Sequence, residues 1–237
     1  MGTAMTLLVF PNRGGTGSGS TTSLAPQQMG DLRFRRLLGE EGWNALHPAV
    51  RARFSHRLGP GDIASYAGVI LETRMTWFGR LMANLLRLAG APLPLDAANT
   101  GAAALVAVTE RPDGRGQFWT RQYGRPRGFP QVIHSTKMFS GPTGLEEQVG
   151  AGVTMSLRLV ATPDRLLFVS VGYFMKLGRI RVPIPGTLLL GRIIIGHIPA
   201  DDGGFDFTLE VRHPLLGLVV SQRAHFRDLA PSEAPPC

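Results

Sequence analysis

The 237 residues include 43% hydrophobic and 18% charged side chains, enough apolar surface for one buried core and too ordinary a composition for wholesale disorder or a coiled coil. The single cysteine, Cys237, excludes a disulfide scaffold, a cysteine-bound zinc and an internal cysteine nucleophile, and fits a reducing, cytoplasmic setting. The formal charge of +8 rests on arginine, with Lys137 and Lys176 the only lysines. Without a basic run, zinc finger or RNA-binding aromatic signature it points away from nucleic acid, leaving a solvated surface or attraction to an anionic ligand or membrane.

Residues 1–30 contain a Gly/Ser/Thr tract over 14–23 and read as a flexible tail. The apolar stretch 5–10 lacks the flanks of a signal peptide, and Gly14 to Gly19 has neither a strand before it nor a helix after it, so it is no dinucleotide loop. From a helix N-cap at Asp31, Phe34, Leu37 and Leu38 share a face that ends at Gly39. Trp43, Leu46, Val50 and Phe54 recur at helical spacing with a restart at Pro48, before the stop Gly59-Pro60-Gly61. Residues 65–75 read as a strand, and Trp77, Leu81, Leu85 and Leu88 mark an amphipathic helix after it.

Beyond Ala102 the period falls to two. Strands are predicted over 105–110 and 117–123 around the turn Pro112-Asp113-Gly114, then over 131–139, 153–161, 166–174, 188–197, 205–212 and 218–226. Residues 187–198 carry Arg192 and His197 and are about half the ~20 residues a spanning helix needs. About nine strands without intervening helices predict one α+β domain over 31–227, with N-terminal helices packed on a large antiparallel sheet curved into a barrel or half-barrel, lipocalin-like or helix-grip-like. Residues 228–237 read as a second tail.

Trp119, Arg121 and Tyr123 share one strand face. Facing inward, the guanidinium could hold a carboxylate, phosphate or enolate between two rings; facing outward, it is a stacked surface arginine. Arg158 is the reserve anchor. His134 is in phase with Val132, Thr136 and Met138, and His197 with Ile193 and Ile195; each is a hydrogen-bonded core residue or a neutral base in a cavity. Glu147 is a base or a turn or cap residue. Residues 166–174, ending near Tyr173, are apolar on both faces and either line a cavity or are covered by helices. The six histidines show no metal spacing and there is no Gly-x-Ser-x-Gly elbow, so neither a metal, a cofactor nor a local serine triad is expected.

Six segments occur together in order: Phe34-Arg35-Arg36-Leu37-Leu38-Gly39, Leu46-His47-Pro48-Ala49-Val50-Arg51, Trp119-Thr120-Arg121-Gln122-Tyr123-Gly124, Glu147-Gln148-Val149-Gly150, Val182-Pro183-Ile184-Pro185 and His213-Pro214-Leu215-Leu216-Gly217. In these the chain resembles the bacterial domain-of-unknown-function family 4166 over residues 31–227. It departs at Gln222-Arg223-Ala224, where the family has an aromatic, a spacer and a glycine. The resemblance implies an oxidoreductase partner, because family members are often joined to a Rossmann-type enzyme.

The resulting expectation is an apolar ligand of isoprenoid, polyketide or acyl type in a barrel cavity. Arg121 would be its anchor, with His134, His197 and Glu147 as acid–base candidates for a cofactor-free isomerisation or cyclisation. The alternative is a non-catalytic lipid-binding or interaction module accessory to an NAD(P)-dependent oxidoreductase. A further expectation is peripheral membrane contact through the helix over 76–90, where Arg80 and Arg87 lie close on one surface.

Overall fold

The computed structural model describes residues 29–88, 93, 100–150, 152–178 and 180–229. It opens with a short ladder, β1 (Met29–Gly30) against β2 (His56–Arg57), enclosing α1 (Arg33–Ala45) and α2 (Pro48–Phe54). Residues 1–28 of the expected tail lie outside the described residues, and Met29 and Gly30 are strand. Gly39 breaks α1 as its sequence position implies, with φ 71° and ψ 170° inside the helix, a conformation that favours glycine. Asp31 is not the N-cap. Leu32 holds that position, and Asp31 instead accepts the Arg33 amide at 2.9 Å and pairs with its guanidinium. Pro48 opens α2, where the Ala49 amide donates to the His47 ring.

The remaining elements are β3 (Ile63–Met75), α3 (Trp77–Leu88), β4 (Ala103–Glu110), β5 (Gly116–Tyr123), β6 (Gln131–Met138), β7 (Glu146–Gly150), β8 (Val153–Thr162), β9 (Arg165–Leu177), β10 (Ile180–Ile184), β11 (Arg192–Pro199), β12 (Phe205–His213) and β13 (Gly217–Asp228). Each strand pairs antiparallel with its chain neighbour except at two places. β11 steps past β10 to pair with β9, and β13 pairs with β3. Ten strands thereby close into a barrel, and β10 extends the C-terminal half of β9 as a hairpin. β7 and β10 were not anticipated as strands. The strand expected over 188–197 begins at Arg192, after a 3-10 turn over Gly186–Leu188.

α1 and α2 cover the barrel end where β3 begins. Phe34 and Phe54 descend into it, with ring centroids 5.0 Å apart, and Phe34 also meets Phe139 and Phe168 edge-on. Arg33 ties this cover to the β4–β5 hairpin, donating to Glu110 and to the Gly114 carbonyl. α3 follows β3 at the other end, where Thr76 donates its amide to Val219 at 3.0 Å. The face that the Trp77, Leu81, Leu85 spacing marks as apolar is turned outward. Trp77 is 75% exposed and Leu81 and Leu85 are exposed, while Phe78, Met82 and Leu86 pack on the core. Arg80, Asn84 and Arg87 form one polar stripe and the rest of the circumference is apolar, wider than one packing interface needs, so the pattern does not say which part of it is buried.

Candidate functional site

Alternation along β4, β5 and β6 points Val106, Val108, Trp119, Arg121, Tyr123, Ile133, Ser135 and Lys137 into the barrel. The expected Trp119-Arg121-Tyr123 face is thus internal, and all three residues are buried. Glu147, on β7, is 2% exposed and gathers its neighbours: Ser135 Oγ donates at 2.6 Å, Lys137 Nζ at 3.1 Å and Arg121 Nη2 at 3.5 Å. Arg121 Nη1 also donates to Ser135 at 3.0 Å. Lys137 Nζ lies 4.3 Å from the Trp119 ring centroid.

Two cations share one carboxylate in this cluster. Burial disfavours the charged form of Glu147, but Lys137 and Arg121 with the Ser135 hydroxyl outweigh it and hold the carboxyl down to about 2. Burial pulls the Lys137 ammonium down to about 8; Glu147 opposes this and the like charge of Arg121 adds to it.

Between this cluster and the α1–α2 cover lies a cavity of about 210 Å3. Its wall is aromatic, with Phe54, Tyr66, Trp119, Phe205, Phe207 and Phe226. His197 stands among them, stacked on Phe205 at 5.6 Å and edge-on to Phe54 at 5.1 Å and Phe207 at 5.8 Å. It is 5% exposed, and burial, with the cations Arg53, Lys137 and Arg121, brings its pKa down to about 3, so the ring is neutral. Trp119 Nε1, His197 Nδ1 and Arg53 Nε and Nη1 are buried without a hydrogen-bond partner, and all three residues line the cavity. A second space of about 80 Å3 adjoins Arg121, Tyr123 and Phe207 on the far side, toward Ile193 and Leu209.

The other sequence candidates are dispersed. His134 is exposed, on the outer face, with its ring 3.1 Å from Thr120 Oγ1; Ile133 and Ser135 take the inward phase, so His134 does not point into apolar surroundings. Arg158 is exposed beneath α1, beside Leu37 and Pro142. Tyr173 is inside the barrel, but its hydroxyl is committed to the Gly191 carbonyl at 2.8 Å and to Ser170. Glu147 is a strand residue, not a turn or cap.

Sequence reasoning passed over Arg53 and Lys137. Arg53 flanks the Val50–Phe54 stripe of α2, and Lys137 alternates with Ile133 and Ser135; those positions were the available signals. Among the described residues no three His, Cys, Asp or Glu side chains converge as a metal site, and no helix is long and apolar enough to cross a membrane.

Fold and interior together define a closed antiparallel barrel holding an aromatic cavity beneath a helical cover. The family model described as Domain of unknown function (DUF4166) matches residues 46–226, and the chain belongs to that family. The match begins at Leu46, so the Phe34 to Gly39 segment of the resemblance lies before it. No curated protein matches the chain.

Proposed function

We propose that the barrel binds a small, largely apolar molecule in the 210 Å3 cavity. The supporting observation is an aromatic space lined by Trp119 and His197, whose donor-only indole N–H and ring Nδ1 are buried without partners, whereas buried polar groups are normally bonded. A ligand carrying a hydrogen-bond acceptor would satisfy the indole N–H. Its size is bounded too, because a cavity of roughly 150 Å3 takes a benzene and drug-sized sites start near ~300 Å3. A single ring or a short acyl chain fits better than a long isoprenoid or polyketide.

Acid–base isomerisation or cyclisation needs a titratable group at the ligand; His197 and Tyr123 are buried in the wall and Tyr66 is half-buried there, while His56 and Asp228 are exposed at the rim. A histidine held near 3 is a weak base at neutral pH, and burial raises both tyrosines, making them weak acids. Binding without chemistry is the better reading. The accessory role beside an NAD(P)-dependent oxidoreductase has the family resemblance alone behind it.

Filling the space is the test. Val106 lines the cavity, and Val106→Phe should abolish calorimetric binding of both octanoate and 1-octanol while leaving the far-ultraviolet circular dichroism unchanged. Undiminished binding by this variant would place the site elsewhere.

A second reading rests on the outside of α3. Its Trp77, Leu81 and Leu85 are exposed beside Arg80 and Arg87, the helix has no acidic residue, and the flanking loops expose Leu188 and Leu215. An aromatic and aliphatic face rimmed by arginine has the chemistry that settles on an anionic lipid surface.

A further inference from the structure

The nature of the ligand's charge follows from Arg53, an inference that rests on the cavity reading above. Arg53 lies on α2, its guanidinium carbon 3.9 Å from the Phe205 ring centroid. Stacking covers one face of the group, so its N–H bonds radiate in the guanidinium plane, and Nε and Nη1 find no partner there. The buried cations Arg121 and Lys137 are engaged, Arg121 with Ser135 and Glu147, Lys137 with Glu147.

Among the residues lining and adjoining the cavity, the half-buried Arg53 joins the buried Arg121 and Lys137, against the buried carboxylate of Glu147 and the exposed one of Asp228. Burial works against the charged form of Arg53, and Asp228 and Tyr66 act on it only through space in the opposite sense. Asp228 is the one carboxylate among the residues lining this cavity. It is exposed, where water and salt screen it, and no hydrogen bond joins it to Arg53. Burying a cation without a bonded partner is costly unless something arrives to neutralise it.

We infer that the cavity takes an amphiphilic monoanion: an organic acid of one ring or a short chain, its carboxylate on Arg53 and its body against Phe205, His197 and Trp119. One negative charge matches one free guanidinium. A doubly charged phosphate would bring a second charge to a rim that already carries Asp228.

Octanoate and 1-octanol share a chain and differ in charge, and both can be titrated calorimetrically into wild type, Arg53→Met, Arg53→Lys and Arg121→Met. Wild type should prefer octanoate by about tenfold or more, the scale of one charge-assisted contact. The preference should vanish in Arg53→Met, survive in part in Arg53→Lys, and persist in Arg121→Met. Equal wild-type affinity for the two probes, a comparison that needs no variant to fold, would overturn the anionic inference and leave the cavity reading standing. Binding of neither probe would overturn both. A preference kept in Arg53→Met and lost in Arg121→Met would overturn the assignment to Arg53.

Discussion

Replacing Glu147 by glutamine keeps the shape of the side chain and removes the only negative charge from a cluster whose other members are Lys137, Arg121 and Ser135. All four side chains are buried, so the two cations left behind have little water to turn to. Breaking a buried ion pair from one side costs about 3 to 5 kcal/mol. For a domain of this size each kcal/mol moves the midpoint by roughly 2 to 4 °C, so a loss on the order of 10 °C is expected in a thermal melt at pH 7. Glu147 is what holds the Lys137 ammonium up at about 8 in wild type, so in the variant Lys137 gives up its proton at lower pH, and the deficit should be largest in mildly acid solution and shrink as the pH rises and one of the two unpaired charges disappears. In wild type the sign is fixed by a carboxyl held down to about 2 against an ordinary 4.5. The contribution of Glu147 is complete above the ordinary value and is lost as the pH falls through the folded one. Arg121→Met leaves a one-to-one Lys137–Glu147 pair and should cost clearly less. A Glu147→Gln protein melting with wild type, or an Arg121→Met protein equally damaged, would refute the assignment of two cations to one carboxylate.

His197 sets a separate acid sensitivity. Its pKa drops from 6.5 to about 3 on folding, so the unfolded chain takes up the proton first. Stability is full above 6.5 and declines by up to about 1.4 kcal/mol per pH unit toward 3. His197→Phe should flatten urea midpoints between pH 7 and pH 5, and an unchanged slope would contradict the neutral-ring assignment. On the outside, α3 should carry the protein to the top of a flotation gradient with vesicles containing phosphatidylserine, and Trp77→Ser with Leu81→Ser should leave it at the bottom. Equal flotation of both proteins would remove the lipid-surface reading.

Much of this architecture is legible in the residues themselves. The switch from helical to alternating period after Ala102, the turn at Asp113-Gly114 and the break at Gly39 all report local backbone preferences that tertiary packing did not override. The interior is less legible where a strand carries mixed chemistry on both faces. In β6 one face reads Ile133, Ser135, Lys137 and the other Val132, His134, Thr136, so alternation separates two sets without saying which is buried. Only the pairing with β5, whose Trp119 and Arg121 lie opposite Ser135 and Ile133, decides it. Arg53 was hidden for another reason: an arginine in a short helix ordinarily points to solvent, and its position over Phe205 depends on a residue from the far end of the chain.

The ladder between β3 and β13 is what turns a curved sheet into a closed one, and it joins Tyr66 to Asp228 across most of the folded chain. Most other ladders of the barrel are hairpin neighbours that can form locally, whereas a pairing this distant in sequence makes folding slow. Tyr66, Phe226 and Asp228 belong both to this seam and to the cavity rim. The cavity therefore has no complete wall until the seam has zipped, and opening the seam empties it. Any molecule held only by the closed form draws that equilibrium toward closure by a factor of one plus the ratio of its free concentration to its Kd. Amide exchange along Tyr66 to Val69 and His225 to Asp228 then becomes a measure of whether the barrel is loaded.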